Sequence, residues 1–332
     1  MCGRTACSRN RDGVQCACAY RPRGQGKLKP TKPQWLDSGQ TYYPSYNISP
    51  QSNTPVLLSS QHAHVTRLLS ASEGPATRRV LQVMKWGLVP SWYKGEPGKF
   101  STLLNNCRHE GMLEKPSFRT AVQKKQRCVV LADGFYEWNK KSPHKQPYLI
   151  HLADTSPSPE MKELTSQTND EETQEVIDGF SDVVGGRMLA MAGLFDVWTR
   201  EETEEPLFTY TIITLDAHPD FAHIHHRMPA MLTDEAAIEK WLDPSLSTEE
   251  LAPMLQPTSV LAWYPVSTVV NNVRHKTSEC VQRIDPRKRV SKQQNTLLNW
   301  FSPMPKTKAV SPAVSDAKDG DPPESKKTKL DN

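Results

Sequence analysis

Gly134-Phe135-Tyr136-Glu137-Trp138, followed after Asn139–Gln146 by the run Pro147–Leu152, reads as two short strands joined in a hairpin. Alternation along the first strand puts Phe135 and Glu137 on one face and Tyr136 and Trp138 on the other. Outward from there, Met188–Trp198 and Leu207–Leu215 make a second hairpin pattern around the charged Thr199–Pro206. Val80–Val89, Cys128–Ala132 and Val260–Val266 are further strand-like runs, bounded by Gly, Pro or polar clusters. Helix signals are fewer. Thr233-Asp234-Glu235 opens a segment with Ile238, Trp241 and Leu242 on one face, stopped by Pro244, and Thr248-Glu249-Glu250 opens a shorter one. Strands outnumber helices and do not alternate with them, which predicts an α+β fold and not a doubly wound parallel sheet.

The chain has 332 residues, 36% of them hydrophobic, with a mean hydropathy of -0.62. No apolar run approaches the roughly 18–20 residues that span a bilayer. The N-terminus lacks the apolar stretch of a secretory signal, so neither membrane insertion nor secretion is expected. Seven irregularly spaced cysteines cannot all pair internally and read as reduced, intracellular thiols. Residues 1–285 read as one folded domain. Two segments interrupt it: the basic, proline-containing Arg21–Gln34, and Asp154–Asp182, whose nine acids face one Lys and which is expected to be a mobile acidic loop. Residues 286–332 are expected to be a disordered basic tail, with ten Lys and Arg against five Asp and Glu.

Cys2 carries distinctive chemistry once Met1 is removed. It then presents a free α-amine, with a pKa of roughly 7.7–8.0, beside its own thiol. Such a pair suits aldehydes: the amine forms an imine, and the thiolate adds to the same carbon to close a thiazolidine. An internal cysteine cannot do this, because its nitrogen is an amide. Other groups suit a polar site. A buried carboxylate among aromatics, as at Glu137, needs a partner. An imidazole such as His225 titrates near neutrality. His223, His225 and His226 crowd together as metal ligands might, but neither CxxC nor HExxH accompanies them, so no metal or cofactor is expected. Cys128 lies in an apolar strand and reads as buried and inert.

Taken in order, Cys2-Gly3-Arg4, Tyr46-Asn47-Ile48-Ser49-Pro50, Trp86-Gly87-Leu88-Val89-Pro90-Ser91-Trp92, Asn105-Asn106-Cys107-Arg108, Ala132–Trp138 and His223–Pro229 form a specific set. Together they resemble the SRAP (SOS response-associated peptidase) family over about residues 2–285. The resemblance implies a barrel-like mixed sheet core with flanking helices. It also implies covalent, cofactor-free crosslinking to abasic sites in single-stranded DNA through a thiazolidine at Cys2. Lyase, peptidase and N-terminal autoprocessing activities are also suggested for the family. By the same resemblance Cys2, Asn106, Glu137 and His225 are catalytic. Asn106 would hold the amine or sugar oxygen, Glu137 would take the amine proton and assist reversal, and His225 would help open the sugar. Arg4, Asn47, Trp92, Arg108 and Arg227 are the implied DNA contacts. His223 stands where the family has Asp.

In the tail, Gln294, Leu297, Trp300 and Phe301 fit the spacing Q-x-x-L-x-x-aromatic-aromatic. This resembles the motif that docks on the replication sliding clamp, proliferating cell nuclear antigen: one helical turn directs the three apolar side chains into one pocket. Arg287-Lys288-Arg289 and Lys326-Lys327-Thr328-Lys329 read as nuclear-import signals, placing the protein at replication forks in the nucleus. Removal of a crosslink by ubiquitin ligases and the proteasome, or by self-reversal through Glu137, is equally compatible with the sequence. A non-catalytic reader of 5-hydroxymethylcytosine DNA and a thiol peptidase remain as alternatives.

Overall fold

The computed structural model describes residues 3–21, 29–36, 39–68, 78–100, 102–139, 142, 145–154, 156–166, 187–200 and 205–286. In chain order these form β1 (Thr5–Cys7), α1 (Arg11–Ala17), β2 (Gln34–Trp35), β3 (Ser45–Ile48), β4 (Asn53–Ser59), α2 (Ala63–Leu68) and β5 (Arg79–Trp86). Then come β6 (Asn106–Arg108), α3 (Pro116–Gln123), β7 (Arg127–Ala132), β8 (Gly134–Asn139), β9 (Gln146–Leu152) and α4 (Pro159–Ser166). β10 (Leu189–Thr199), β11 (Pro206–Asp216), β12 (Arg227–Pro229), α5 (Glu235–Leu242), α6 (Thr248–Leu251) and β13 (Leu261–Pro265) complete the set. The fold is α+β, as the strand-rich pattern predicts.

Five strands close on themselves. β5 pairs with β4, β4 with β7, β7 with β10 and β10 with β11, all antiparallel. β11 then returns to β5 in parallel register, Thr209 opposite Lys85 and Tyr210 opposite Trp86. Closure removes the exposed edges of an open sheet. The interior is filled by Val56, Leu81, Val83, Val129, Leu194 and Ile212 among others, each 2% exposed or less. Burying such a side chain contributes about 1.5–3 kcal/mol.

A second sheet has the order β13-β9-β8-β1-β3. Both of its faces are buried. Phe135 and Ile150 join the barrel core, whereas Ala6, Tyr136 and Leu149 pack with Val266, Val270, Cys280 and Val281 from the segment that follows β13. The expected alternation of Phe135 and Tyr136 is therefore a division between two cores. Gly134 is required where β8 meets β9: a Cβ there would lie 2.8 Å from the Ile150 carbonyl oxygen.

Both expected hairpins form, β8–β9 and β10–β11. Asp234 caps α5 through the Ala237 N–H, and Ser247 and Glu250 form a capping box on α6. The run Val80–Val89 stops as a strand at Trp86, because Gly87 takes φ +123°, a turn conformation open mainly to glycine. Within the expected acidic loop 154–182, Pro159–Ser166 is helical instead: Met161 is buried, and Glu160 and Glu163 face Arg21. The rest of that loop, residues 167–182, lies outside the described residues, as do residues 287–332 of the tail. Arg21–Gln34 is not wholly a linker either, since Thr31 bridges to Tyr20 and Gln34 begins β2. Among the described residues no helix is long and apolar enough to cross a membrane.

Candidate functional site

Strand β1 carries the start of the described chain into the middle of the second sheet. It lies between β3 and β8, with Thr5 opposite Ile48 on one side and Phe135 on the other. The Tyr136 N–H donates to the Arg4 carbonyl at 2.9 Å, continuing that register. One step further, Gly3 falls opposite Glu137. Cys2 lies outside the described residues.

Asp133, immediately before β8, holds β1 from its other end. One carboxylate oxygen accepts from the Ser8 N–H at 2.6 Å and the Ser8 hydroxyl at 2.9 Å. The other accepts from Arg9 Nε at 2.7 Å, in an ion pair almost wholly removed from water. Sequence reading passed over Asp133, although it lies inside the Ala132–Trp138 motif.

Glu137 and His225 come together. The Glu137 carboxylate lies 3.9 Å from His225 Nδ1, and both side chains are nearly fully buried. Glu137 is carried on the barrel-facing side of β8. Phe135, two residues before it, packs edge-on against Phe221. Phe221 belongs to the turn that carries His225, whose N–H reaches the Phe221 carbonyl. His225 Nδ1 is 3.0 Å from the Arg227 carbonyl oxygen and 3.1 Å from the Arg227 nitrogen. A bare Nδ1 accepts the Arg227 N–H. A protonated Nδ1 donates to the carbonyl and faces the carboxylate. Nδ1 thus finds a partner with or without its proton. His226 lies against the same ring, centroids 4.5 Å apart, while His223 leans on Trp263. His223 therefore does not orient His225; the Arg227 backbone does.

Asn106 enters on β6, which runs parallel to β11 with Asn106 opposite Ile212. The Trp86 indole N–H fixes its neighbour by donating to the Asn105 carbonyl at 2.9 Å. Cys107 points into the core, and burial pushes its thiol pKa up, so it is no nucleophile. Alternation then turns Asn106 and Arg108 to the opposite face, and Arg108 is exposed. Trp92 sits in the turn beyond β5 and is 50% exposed, whereas Trp86 is core. Cys128 is buried with its pKa raised by burial, as its apolar strand predicts.

Two of the implied DNA contacts are bound within the protein. Arg227 is buried: its guanidinium is bound by the Glu110 and Asp216 carboxylates and donates to the Thr214 carbonyl at 2.6 Å. Its charge is satisfied within the protein. Asn47 is also turned inward. Its amide N–H groups donate to the carbonyls of Val270, Asn272 and His275 at 2.8–3.1 Å, and its oxygen accepts from Arg4 at 2.7 Å. Asn47 thus positions Arg4, which also reaches the Val270 carbonyl at 2.7 Å and lies 5.8 Å from the Trp138 ring centre. Burial lowers the Arg4 pKa. Gln294, Leu297, Trp300 and Phe301 lie outside the described residues. Among the described residues no group of three His, Cys, Asp or Glu side chains is arranged to hold a metal ion.

Comparison with known proteins adds kinship to this geometry. The abasic site processing protein HMCES of Gallus gallus is 44% identical over 307 residues, spanning 91% of this chain and 84% of that protein. The HMCES protein of Xenopus tropicalis is 42% identical over 287 residues, spanning 86% of this chain and 78% of that protein. The abasic site processing protein YoqW of Bacillus subtilis is 32% identical over 253 residues, spanning 75% and 90%. In structure, a protein from Bacteroides thetaiotaomicron superimposes with a TM-score of 0.56 at 25% identity, covering 86% of this chain and all of that one. Residues 1–273 match the family described as SOS response associated peptidase (SRAP), and with these relatives the chain belongs to that family.

Proposed function

We propose that this protein processes abasic sites in single-stranded DNA by forming a thiazolidine crosslink through Cys2 after loss of Met1. The observation that carries the reading is the buried Glu137–His225 pair, 3.9 Å apart, at the end of the strand that leads back to Cys2. The names of the HMCES and YoqW relatives support the substrate.

An abasic deoxyribose exchanges between a closed ring and an open aldehyde. His225, in its protonated form, gives a proton to the ring oxygen and favours opening. Glu137 takes a proton from the Cys2 ammonium, freeing the amine to attack C1′. Water leaves as the imine forms. The Cys2 sulfur then adds to the same carbon and the nitrogen takes up a proton, closing a five-membered ring. The net change is one water released and no strand broken. The Asn106 amide holds the sugar oxygen or the amine, and Arg4 and Arg108 supply cationic contacts to phosphate. Protonation of the thiazolidine nitrogen by Glu137 opens the path back.

The test is intact mass spectrometry before and after incubation with abasic single-stranded DNA. Loss of Met1 and a stoichiometric adduct at Cys2 that survives denaturation are expected. An equal adduct on the Cys2→Ala protein would overturn the mechanism. The family description favours a second reading, a thiol peptidase with Cys2 and His225 as nucleophile and base. Blocking the α-amine alone separates the two, since it stops crosslinking and spares a peptidase.

The tail gives this activity a location. Gln294, Leu297, Trp300 and Phe301 would dock on the sliding clamp, and the basic runs would direct nuclear import, bringing the protein to replication forks. Loss of clamp binding in a peptide carrying Leu297→Ala and Trp300→Ala is the expected result. Ubiquitin ligases and the proteasome would then act on the crosslinked protein.

A further inference from the structure

The loop before β3 turns two adjacent tyrosines in opposite directions. Tyr42 is buried, its hydroxyl 2.9 Å from the Cys7 carbonyl oxygen and 2.8 Å from that of Arg9. Tyr43 is 75% exposed. The loop backbone is held further by Asn53, whose amide donates to the Thr41 carbonyl at 3.1 Å. An exposed aromatic on a pinned backbone loses little freedom on contact with a partner.

Tyr43 borders a groove of about 580 Å³ that is also lined by Ser45, Asn47, Gln51, Lys85 and Lys276. The lining contains two lysines and no carboxylate. Neither lysine is ion-paired among the described residues. Two other exposed apolar side chains lie close to residues of the lining. Leu103 flanks Gly87 together with Gln51, and Val273 lies in the loop whose carbonyls Asn47 binds. Of these three exposed side chains, Tyr43 is the one that lines the groove itself.

We infer that this groove is a second contact for single-stranded nucleic acid, in which Tyr43 stacks on a base flanking the reacting nucleotide and Lys85 and Lys276 take adjacent phosphates. The inference rests on the substrate proposed above. Asn47 lines the groove and also binds Arg4, one of the phosphate contacts proposed above, so the groove and Arg4 are one side chain apart. An exposed ring beside unpaired cations suits a single strand, because every base offers a face to stack and every linkage a charge. An acidic peptide would satisfy the lysines and leave the ring without a partner.

The test uses the full-length protein and undamaged oligothymidine carrying one 5-iodouracil at successive positions, with photo-adducts located by mass spectrometry. A Tyr43 adduct is expected. Tyr43→Ala should weaken oligothymidine binding about tenfold, while Tyr43→Phe, which keeps the ring, retains it. Lys85→Ala with Lys276→Ala should flatten the slope of log affinity against log salt by about 1.4, the value for two lost phosphate contacts on a single strand. Adducts only elsewhere, with affinity unchanged in Tyr43→Ala, would overturn the groove. So would competition by oligoglutamate as strong as by oligothymidine. An abasic oligonucleotide run in parallel separates the two readings. A Cys2 adduct without a Tyr43 adduct retires the groove alone, and a Tyr43 adduct without one at Cys2 retires the crosslinking chemistry and leaves the groove standing.

Discussion

The Glu137 carboxylate and His225 Nδ1 face each other across 3.9 Å inside the protein, with neither side chain appreciably open to water. An acid and a base so close in a low-dielectric setting interact strongly. Replacing Glu137 by Gln preserves shape and removes the charge. Crosslinking to abasic single-stranded DNA should slow at least about a hundredfold, in line with the loss of a general base. Single-turnover rates read from denaturing gels check this. A rate within threefold of the parent would remove Glu137 from the chemistry.

Asp133 ties β1 to the rest of the sheet through Ser8 and the buried Arg9. Asp133→Ala leaves the Arg9 guanidinium buried without its carboxylate. The expected cost is about 3–5 kcal/mol, read as a lowered urea midpoint. A loss below about 1 kcal/mol would mean that the pair is not what anchors the strand.

Arg227 imposes a pH dependence on stability. Its guanidinium, by hydrogen bonding, holds the Glu110 carboxyl down to about 2 from its ordinary 4.5. A group depressed on folding contributes stability above its unfolded pKa and loses it as pH falls through the folded one. The contribution is thus complete above about pH 4.5 and fades toward pH 2. Glu110 is half-exposed, so solvent screening trims the effect. Urea midpoints should fall over this window in the parent and fall less in Glu110→Gln. Parallel curves for the two proteins would refute the assignment.

Gly134→Ala places a methyl group 2.8 Å from the Ile150 carbonyl oxygen and 2.9 Å from Leu149 Cδ1. Neither strand can yield without breaking the β8–β9 ladder. Destabilisation of about 1–3 kcal/mol is expected by thermal or urea unfolding. An unchanged midpoint would show that the hairpin can part at this point.

Parts of this structure were legible from local pattern. The period of two in β8 sorted Phe135 and Glu137 from Tyr136 and Trp138, and the caps of α5 and α6 followed from Asp234 and the acidic residues after Thr248. Strands β1, β2, β3, β4, β6 and β12 escaped notice. All but β4 are four residues or fewer, and Thr5-Ala6-Cys7 or Asn106-Cys107-Arg108 has no propensity apart from the neighbours that pair with it. The parallel closure of β5 on β11 is a tertiary event with no local signature. The family motifs brought Glu137 and His225 to attention, and only the fold shows that they meet. The place of Arg227 beside His225 in sequence does not reveal that its guanidinium turns to Glu110 and Asp216. Nor does the sequence reveal that the Asn47 amide holds Arg4 and the loop after β13.

The central place of β1 also sets a timetable for synthesis. Its neighbours are β3, made soon afterwards, and β8, which ends at Asn139. A ribosome adding about 5–20 residues per second needs on the order of ten seconds to reach that point. Throughout that interval β1 has β3 to pair with on one side and no partner on the other. Once β8 emerges, the strand is zipped in between its neighbours. The order of synthesis thus leaves β1 one-sided until β8 is made.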